Sequence, residues 1–173
     1  MNNSKPCTNS FLLDRGIWCG EYPGDLDPSV AQTKIGQMLD FGITAFIDLT
    51  QPGELKPYRQ FLHGNVKHYR FPIRDVSVPC RQTLVYDVSE VIKDVLSRNG
   101  QVYLHCWGGI GRTGTVAACL LRIWDASLTG SEALRLLRER FQNNPKSSVR
   151  NIPDTQQQVD YILNFNPEAF PSS

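Results

Sequence analysis

The sequence predicts an α/β fold, a single domain with a central, mainly parallel sheet of about four or five strands flanked by helices. Three observations predict it. Apolar runs of strand length alternate with stretches of helical spacing along the chain. Residues 43–49 are apolar almost throughout, which suits a strand covered on both faces. The 173 residues fit one domain with one sizeable core.

The elements follow in order. Residues 1–10 are polar and read as a flexible arm, residues 11–166 as the domain and residues 167–173 as a tail. Ile17-Trp18-Cys19 reads as a short strand ending at the turn Tyr22-Pro23-Gly24. A helix begins at Pro28 and runs to Asp40, with Val30, Ile35, Met38 and Leu39 inward and Gly42 closing it. Residues 43–49 form the next strand and Gln51-Pro52-Gly53 a turn. Residues 66–71 alternate as a strand does, and Pro72 and Pro79 bracket the loop that follows. Between residues 81 and 98, Leu84, Val85, Val88, Val91, Ile92, Val95 and Leu96 fall at helical spacing. Val102-Tyr103-Leu104 is a short strand, and the almost wholly apolar helix over 113–124 belongs at the centre. Thr129 and Glu132 read as a capping box for a helix through Phe141. A last helix starts near Asp154 and carries Val159, Tyr161, Ile162 and Phe165.

Composition excludes several classes. With 18 basic and 17 acidic residues the formal charge is +1, which argues against general nucleic-acid binding. No apolar run approaches the roughly 18 residues that cross a bilayer, and the polar start has no signal core, so the expectation is a cytoplasmic protein with no membrane insertion. The five cysteines, Cys7, Cys19, Cys80, Cys106 and Cys119, are odd in number and irregularly spaced. Neither a zinc site nor a disulfide scaffold is expected, and no cofactor or metal is called for.

Chemistry concentrates in residues 105–114, His-Cys-Trp-Gly-Gly-Ile-Gly-Arg-Thr-Gly, between a strand and a helix. A loop in that setting turns backbone N–H groups into one concavity at the positive end of a helix dipole, where oxyanions bind. Gly108, Gly109 and Gly111 allow close approach of the backbone, and Trp107 and Ile110 complete the expected phosphate cradle. Arg112 adds a planar fork that grips two phosphate oxygens. Beside these groups the Cys106 thiol is expected to ionise easily, in the range of about 3.5–7.5, which makes it a nucleophile. Thr113 is placed to donate its hydroxyl to the sulfur, and His105 to orient the loop rather than act as a base.

This string resembles the His-Cys-x5-Arg-Thr signature of the cysteine-based protein tyrosine phosphatases. The short chain is similar to their dual-specificity branch, and Gly-Gly-x-Gly-Arg is particularly like the kinase-associated and small microbial members. The resemblance implies two residues outside the loop. Asp75, in Phe71-Pro72-Ile73-Arg74-Asp75, stands where the family carries its general acid, although the family's tryptophan–proline–aspartate form is absent. Asp48 and Asp87 compete for the role. Pro153-Asp154-Thr155-Gln156-Gln157-Gln158 resembles a downstream glutamine motif, in which Gln158 would position the hydrolytic water.

The implied reaction is attack of Cys106 on phosphorus, with Asp75 protonating the leaving oxygen, followed by hydrolysis of a phosphocysteine. The expected substrate is a phosphorylated protein, with phosphotyrosine first and phosphoserine or phosphothreonine beside it. A phosphoinositide or inositol phosphate phosphatase is the alternative, disfavoured because the loop carries no lysine for extra phosphates. An inactive phosphopeptide-binding module, an RNA 5′-phosphatase and a sulfurtransferase are further readings. The oligomeric state is not legible here.

Overall fold

The computed structural model describes residues 4–169. Five strands form one sheet: β1 (Ser10–Asp14), β2 (Ile17–Gly20), β3 (Ala45–Asp48), β4 (Lys67–Arg70) and β5 (Val102–His105). Their order across the sheet is β1-β2-β5-β3-β4. The pairs β2–β5, β5–β3 and β3–β4 are parallel, and only β1 runs antiparallel, on β2. The helices are α1 (Pro28–Phe41), α2 (Thr83–Ser97), α3 (Gly111–Trp124), α4 (Gly130–Phe141) and α5 (Gln156–Asn164), with 3-10 turns at Arg59–Phe61 and Pro145–Ser148.

The two-residue period of a strand divides the core into two layers. Ala45 and Ile47 of β3 and Val102 and Leu104 of β5 face the larger cluster, which α2 and α3 supply with Val85, Val88, Ile92, Val116 and Leu120. Phe46 and Tyr103 point the other way, onto Ile35 and Met38 of α1 and onto Tyr58. A parallel sheet needs both covers, which is why β3 and β5 are buried at every position. The expected helix punctuation holds. Asp27 caps α1 ahead of Pro28, Gly42 closes it at φ +109°, and Thr129 with Glu132 forms the capping box of α4.

Three expectations need correction. The arm read over residues 1–10 is taken up by the fold before it ends. Ser10 opens β1, Pro6 is buried, and Cys7 Sγ lies 3.2 Å from the Tyr103 hydroxyl. Residues 1–3 of that arm, and residues 170–173 of the expected tail, lie outside the described residues. On α1, Val30 faces out and Ala31 takes the inward position. Helix α3 begins at Gly111, two residues earlier than expected, so Arg112 sits in its first turn.

Candidate active site

The segment after β5 leaves the sheet at the carboxyl end of the central strands, where α/β folds place their ligand crevice. A cleft of about 340 Å³ opens there. Cys106, Trp107 and Gly108 line it from the loop, Gly111 and Arg112 from the first turn of α3, Asp75 and Val76 from the loop after β4, Arg150 and Asp154 from the segment before α5, and Gln158 from α5 itself. Three segments far apart in sequence therefore line one cleft with Cys106, which is buried.

Arg112 organises the cleft. Its side chain is 1% exposed, and so large a buried cation requires partners. Glu54 supplies a bidentate pair, Nη1 to Oε2 at 2.8 Å and Nη2 to Oε1 at 2.7 Å. Nη1 also donates to the Ile73 carbonyl at 3.1 Å, and Nη2 lies 3.0 Å from Oδ1 of Asp75. Burial opposes the charge of Arg112, but the Glu54 hydrogen bonds and the charges of Cys106, Glu54 and Asp75 outweigh it and raise its pKa. Glu54 is likewise penalised by burial, yet its bonds to Arg112 bring its pKa below the ordinary value.

The family model for polymorphic toxin system, DSP-PTPase phosphatase matches residues 25–126, more than half of the chain and all of β3 through α3. The chain belongs to that family. Among curated relatives, a protein of Invertebrate iridescent virus 6 provisionally named tyrosine phosphatase 197R is 30% identical over 123 residues, covering 68% of this chain and 43% of its own length. The match thus spans less than half of that relative. Two solved structures share the fold. Tk-PTP in its active form superposes with a TM-score of 0.73 at 20% identity, covering 94% of this chain and 98% of that one. PTPMT1 in complex with PI(5)P superposes at 0.69 and 15% identity, covering 92% and 96%.

Within this DSP-PTPase chain the expected loop residues divide into two groups. Trp107, Gly108 and Gly111 line the cleft, whereas Gly109, Ile110, Thr113 and His105 do not. Gly109 has φ +73°, and a Cβ there would lie 2.2 Å from the Gly20 carbonyl carbon and 2.6 Å from the Glu21 nitrogen. Its glycine therefore serves the packing of the loop on the end of β2 rather than access to an anion. The Trp107 carbonyl accepts from Tyr22 N at 2.8 Å, and Lys146 ties the Gly108 carbonyl at 3.0 Å to Glu21 at 2.8 Å.

His105 is buried and linked to the loop it precedes. Its Nδ1 lies 3.2 Å from the Cys106 carbonyl, which can only accept, so Nδ1 carries the proton and Nε2 accepts from Tyr58 at 2.6 Å. Burial lowers its pKa to about 4, against the pull of Asp48. A neutral imidazole in this position joins the Cys106 carbonyl to the Tyr58 hydroxyl. Thr113 departs from expectation. Its buried hydroxyl makes no hydrogen bond among the described residues, so no bond to the Cys106 sulfur is formed. Because α3 starts at Gly111, Thr113 is already inside the helix.

Gln158 reaches the cleft with both ends of its carboxamide engaged. Oε1 accepts from Thr155 N at 3.1 Å in the capping box of α5, and Nε2 donates to the Ser77 carbonyl at 3.0 Å. It thus ties α5 to the loop that carries Asp75. The competing carboxylates stand elsewhere. Burial disfavours the charge of Asp48, but bonds from His68, Thr50 and Arg70 hold its pKa well below the usual carboxylate range. Asp87 pairs with Arg81 on the exposed face at 3.5 Å. Sequence reasoning missed Glu54 and Arg150. The signal for Glu54 was a requirement rather than a motif: a buried arginine needs a carboxylate, and the loop after β3 holds one.

Among the described residues no helix is long and apolar enough to cross a membrane, and no group of three His, Cys, Asp or Glu side chains could hold a metal ion.

Proposed function

We propose that this protein is a cysteine-dependent phosphatase of the cytoplasm, acting on phosphotyrosine, and on phosphoserine and phosphothreonine, in proteins. The observation that carries this reading is the convergence of Cys106, Arg112 and Asp75 in one cleft, with Asp75 3.0 Å from the arginine.

The free valences of Arg112 define how phosphate enters. Both N–H groups of Nη1 and one of Nη2 serve Glu54 and Ile73. Nε–H and the remaining N–H of Nη2 form an adjacent pair, and such a pair suits two phosphate oxygens. Asp75 occupies the Nη2 side. A dianionic phosphate takes over that contact and frees the Asp75 carboxyl on the leaving-group side. The Cys106 thiolate then attacks phosphorus. The bond to the ester oxygen breaks, and that oxygen takes the Asp75 proton. In the second step water attacks phosphorus, gives a proton to Asp75 and expels the thiolate with inorganic phosphate. Arg112 and the loop N–H groups stabilise the equatorial charge in both steps.

Hydrolysis of p-nitrophenyl phosphate and of a phosphotyrosine peptide tests the reading. Cys106→Ser abolishes both, and Asp75→Ala slows the peptide by about 10²–10⁴-fold. Full peptide turnover in Asp75→Ala would reject the assigned acid. Hydrolysis of phosphoinositide vesicles with no peptide turnover would reject the substrate class.

A further inference from the structure

A second cleft of about 390 Å³ adjoins the first. The turn between β2 and α1 lines it with Tyr22 and Leu26, the loop after β3 with Leu55, and Trp107 and Gly108 stand between it and the first cleft. Trp107 and Gly108 line both clefts, so the two share a border at the indole.

The walls of the second cleft set Tyr22, Leu26, Leu55 and Trp107 among the charged side chains of Glu21, Asp25, Lys34, Lys56 and Lys146. Seven large hydrophobic side chains are exposed among the described residues, and three of them line these two clefts: Val76 at 64%, Trp107 at 59% and Leu26 at 81%. Exposed apolar residues scattered singly need no explanation, but Leu26 and Trp107 line the same cleft. The Trp107 backbone is fixed by its bond from Tyr22, and its ring stacks on no other ring among the described residues.

The cations of the second cleft point to the chemistry of its occupant. Each already has a partner. Lys34 pairs with Asp25 at 2.9 Å, Lys146 with Glu21 at 2.8 Å, and Lys56 donates to the Leu26 carbonyl at 2.9 Å. Arg150, on the rim of the catalytic cleft, pairs with Asp154 at 2.6 Å. A site for a second phosphate, or a surface for an anionic bilayer, presents unpaired lysine or arginine. Here three of the four cations are ion-paired and the fourth, Lys56, is tied to a carbonyl, beside the apolar side chains of Leu26, Leu55 and Trp107.

We propose that the cleft between Leu26 and Trp107 is a substrate subsite that takes one bulky aliphatic or aromatic side chain flanking the phosphorylated residue of a polypeptide. This rests on the phosphatase reading above. One indole separates the two clefts, and an extended chain advances about 3.3–3.6 Å per residue, so the flanking side chain stands about two residues from the phosphoresidue.

The test uses a phosphotyrosine peptide of serine and glycine in which a single leucine is moved through the flanking positions. Burial of one leucine-sized side chain corresponds to about tenfold in kcat/KM. The native protein should therefore favour leucine at one or two positions by about tenfold. Leu26→Ser, at an exposed position, should lose that preference and keep its rate on p-nitrophenyl phosphate, which is too small to reach the subsite. A flat leucine scan with the peptides still hydrolysed overturns the subsite and leaves the phosphatase reading intact. A preference that survives Leu26→Ser also overturns it. Turnover of phosphoinositide vesicles with none of the peptides overturns both.

Discussion

Single hydrogen bonds in this site have separable consequences. Gln158 joins two tasks, capping α5 through Oε1 and holding the Ser77 carbonyl through Nε2. Gln158→Glu keeps the acceptor that caps the helix and removes the donor to the Asp75 loop. A neutral hydrogen bond contributes about 1 kcal/mol. The variant should therefore lose several-fold in kcat/KM on phenyl phosphate, whose leaving group requires a proton, and much less on p-nitrophenyl phosphate. Equal losses on the two, with a burst of nitrophenol, would instead assign Gln158 to the water of the second step. His105 makes a prediction in pH. Unfolded, it takes up a proton near pH 6.5, while the folded imidazole resists until about pH 4. The unfolded state then binds more protons within that window, so stability falls as pH drops through it, by about 3 kcal/mol in full. Asp48 and Glu54, whose pKa values are lowered, add their losses as pH falls through the ordinary carboxylate range and below it. Urea midpoints followed between about pH 6.5 and 4.5 should show the slope in the native protein and its absence in His105→Asn. A slope unchanged in that variant would place the proton elsewhere.

At the scale of elements, the loop after β5 keeps its shape because it is packed between the end of β2 and the start of α5. Gly109 is the tightest point of that packing. Gly109→Ala sets a methyl group against the Gly20–Glu21 backbone and asks an alanine to hold φ +73°. It should cost about 1–3 kcal/mol and lower kcat, measured by thermal melts and steady-state rates. A neutral outcome would show that the β2 end yields easily. Most elements were legible because their signals are local. The runs of β3 and β5, the stop at Gly42 and the capping box at Thr129 all lie within a few residues of what they specify. Strand β1 was not. Its five residues, Ser-Phe-Leu-Leu-Asp, adjoin a polar arm and gain their place only by pairing with β2. The start of α3 was hidden by Gly111, a poor helix former that is tolerated at a helix N-terminus. Cys106 and Arg112 stand in one signature and Asp75 in a second segment that the resemblance points to, and all three line one cleft. Glu54 and the Ser77 partner of Gln158 were not legible, because those contacts span 58 and 81 residues and depend on how the sheet brings its loops together.

For the whole molecule, the sheet sets three loops around one cleft, and oxyanion binding should be felt by the entire fold. Tungstate, a tetrahedral oxyanion, at about 100 times its Kd adds roughly 2.7 kcal/mol of stability. For a chain of this size that raises Tm by about 5–10 °C. Cys106→Ser leaves the loop N–H groups and Arg112 in place and should keep the shift. Arg112→Lys retains the charge but loses the fork, and should lose most of it. A full shift in Arg112→Lys would mean that the anion binds without the guanidinium.

The central claim is that the Cys106 sulfur attacks phosphorus in the cleft that Arg112 organises. Acid quench within the first turnovers of p-nitrophenyl phosphate, followed by mass spectrometry of the digested protein, tests it directly. The account predicts one added phosphoryl group on the peptide containing Cys106, absent from Cys106→Ser. A phosphoryl group on any other residue, or undiminished turnover in Cys106→Ser, would contradict it.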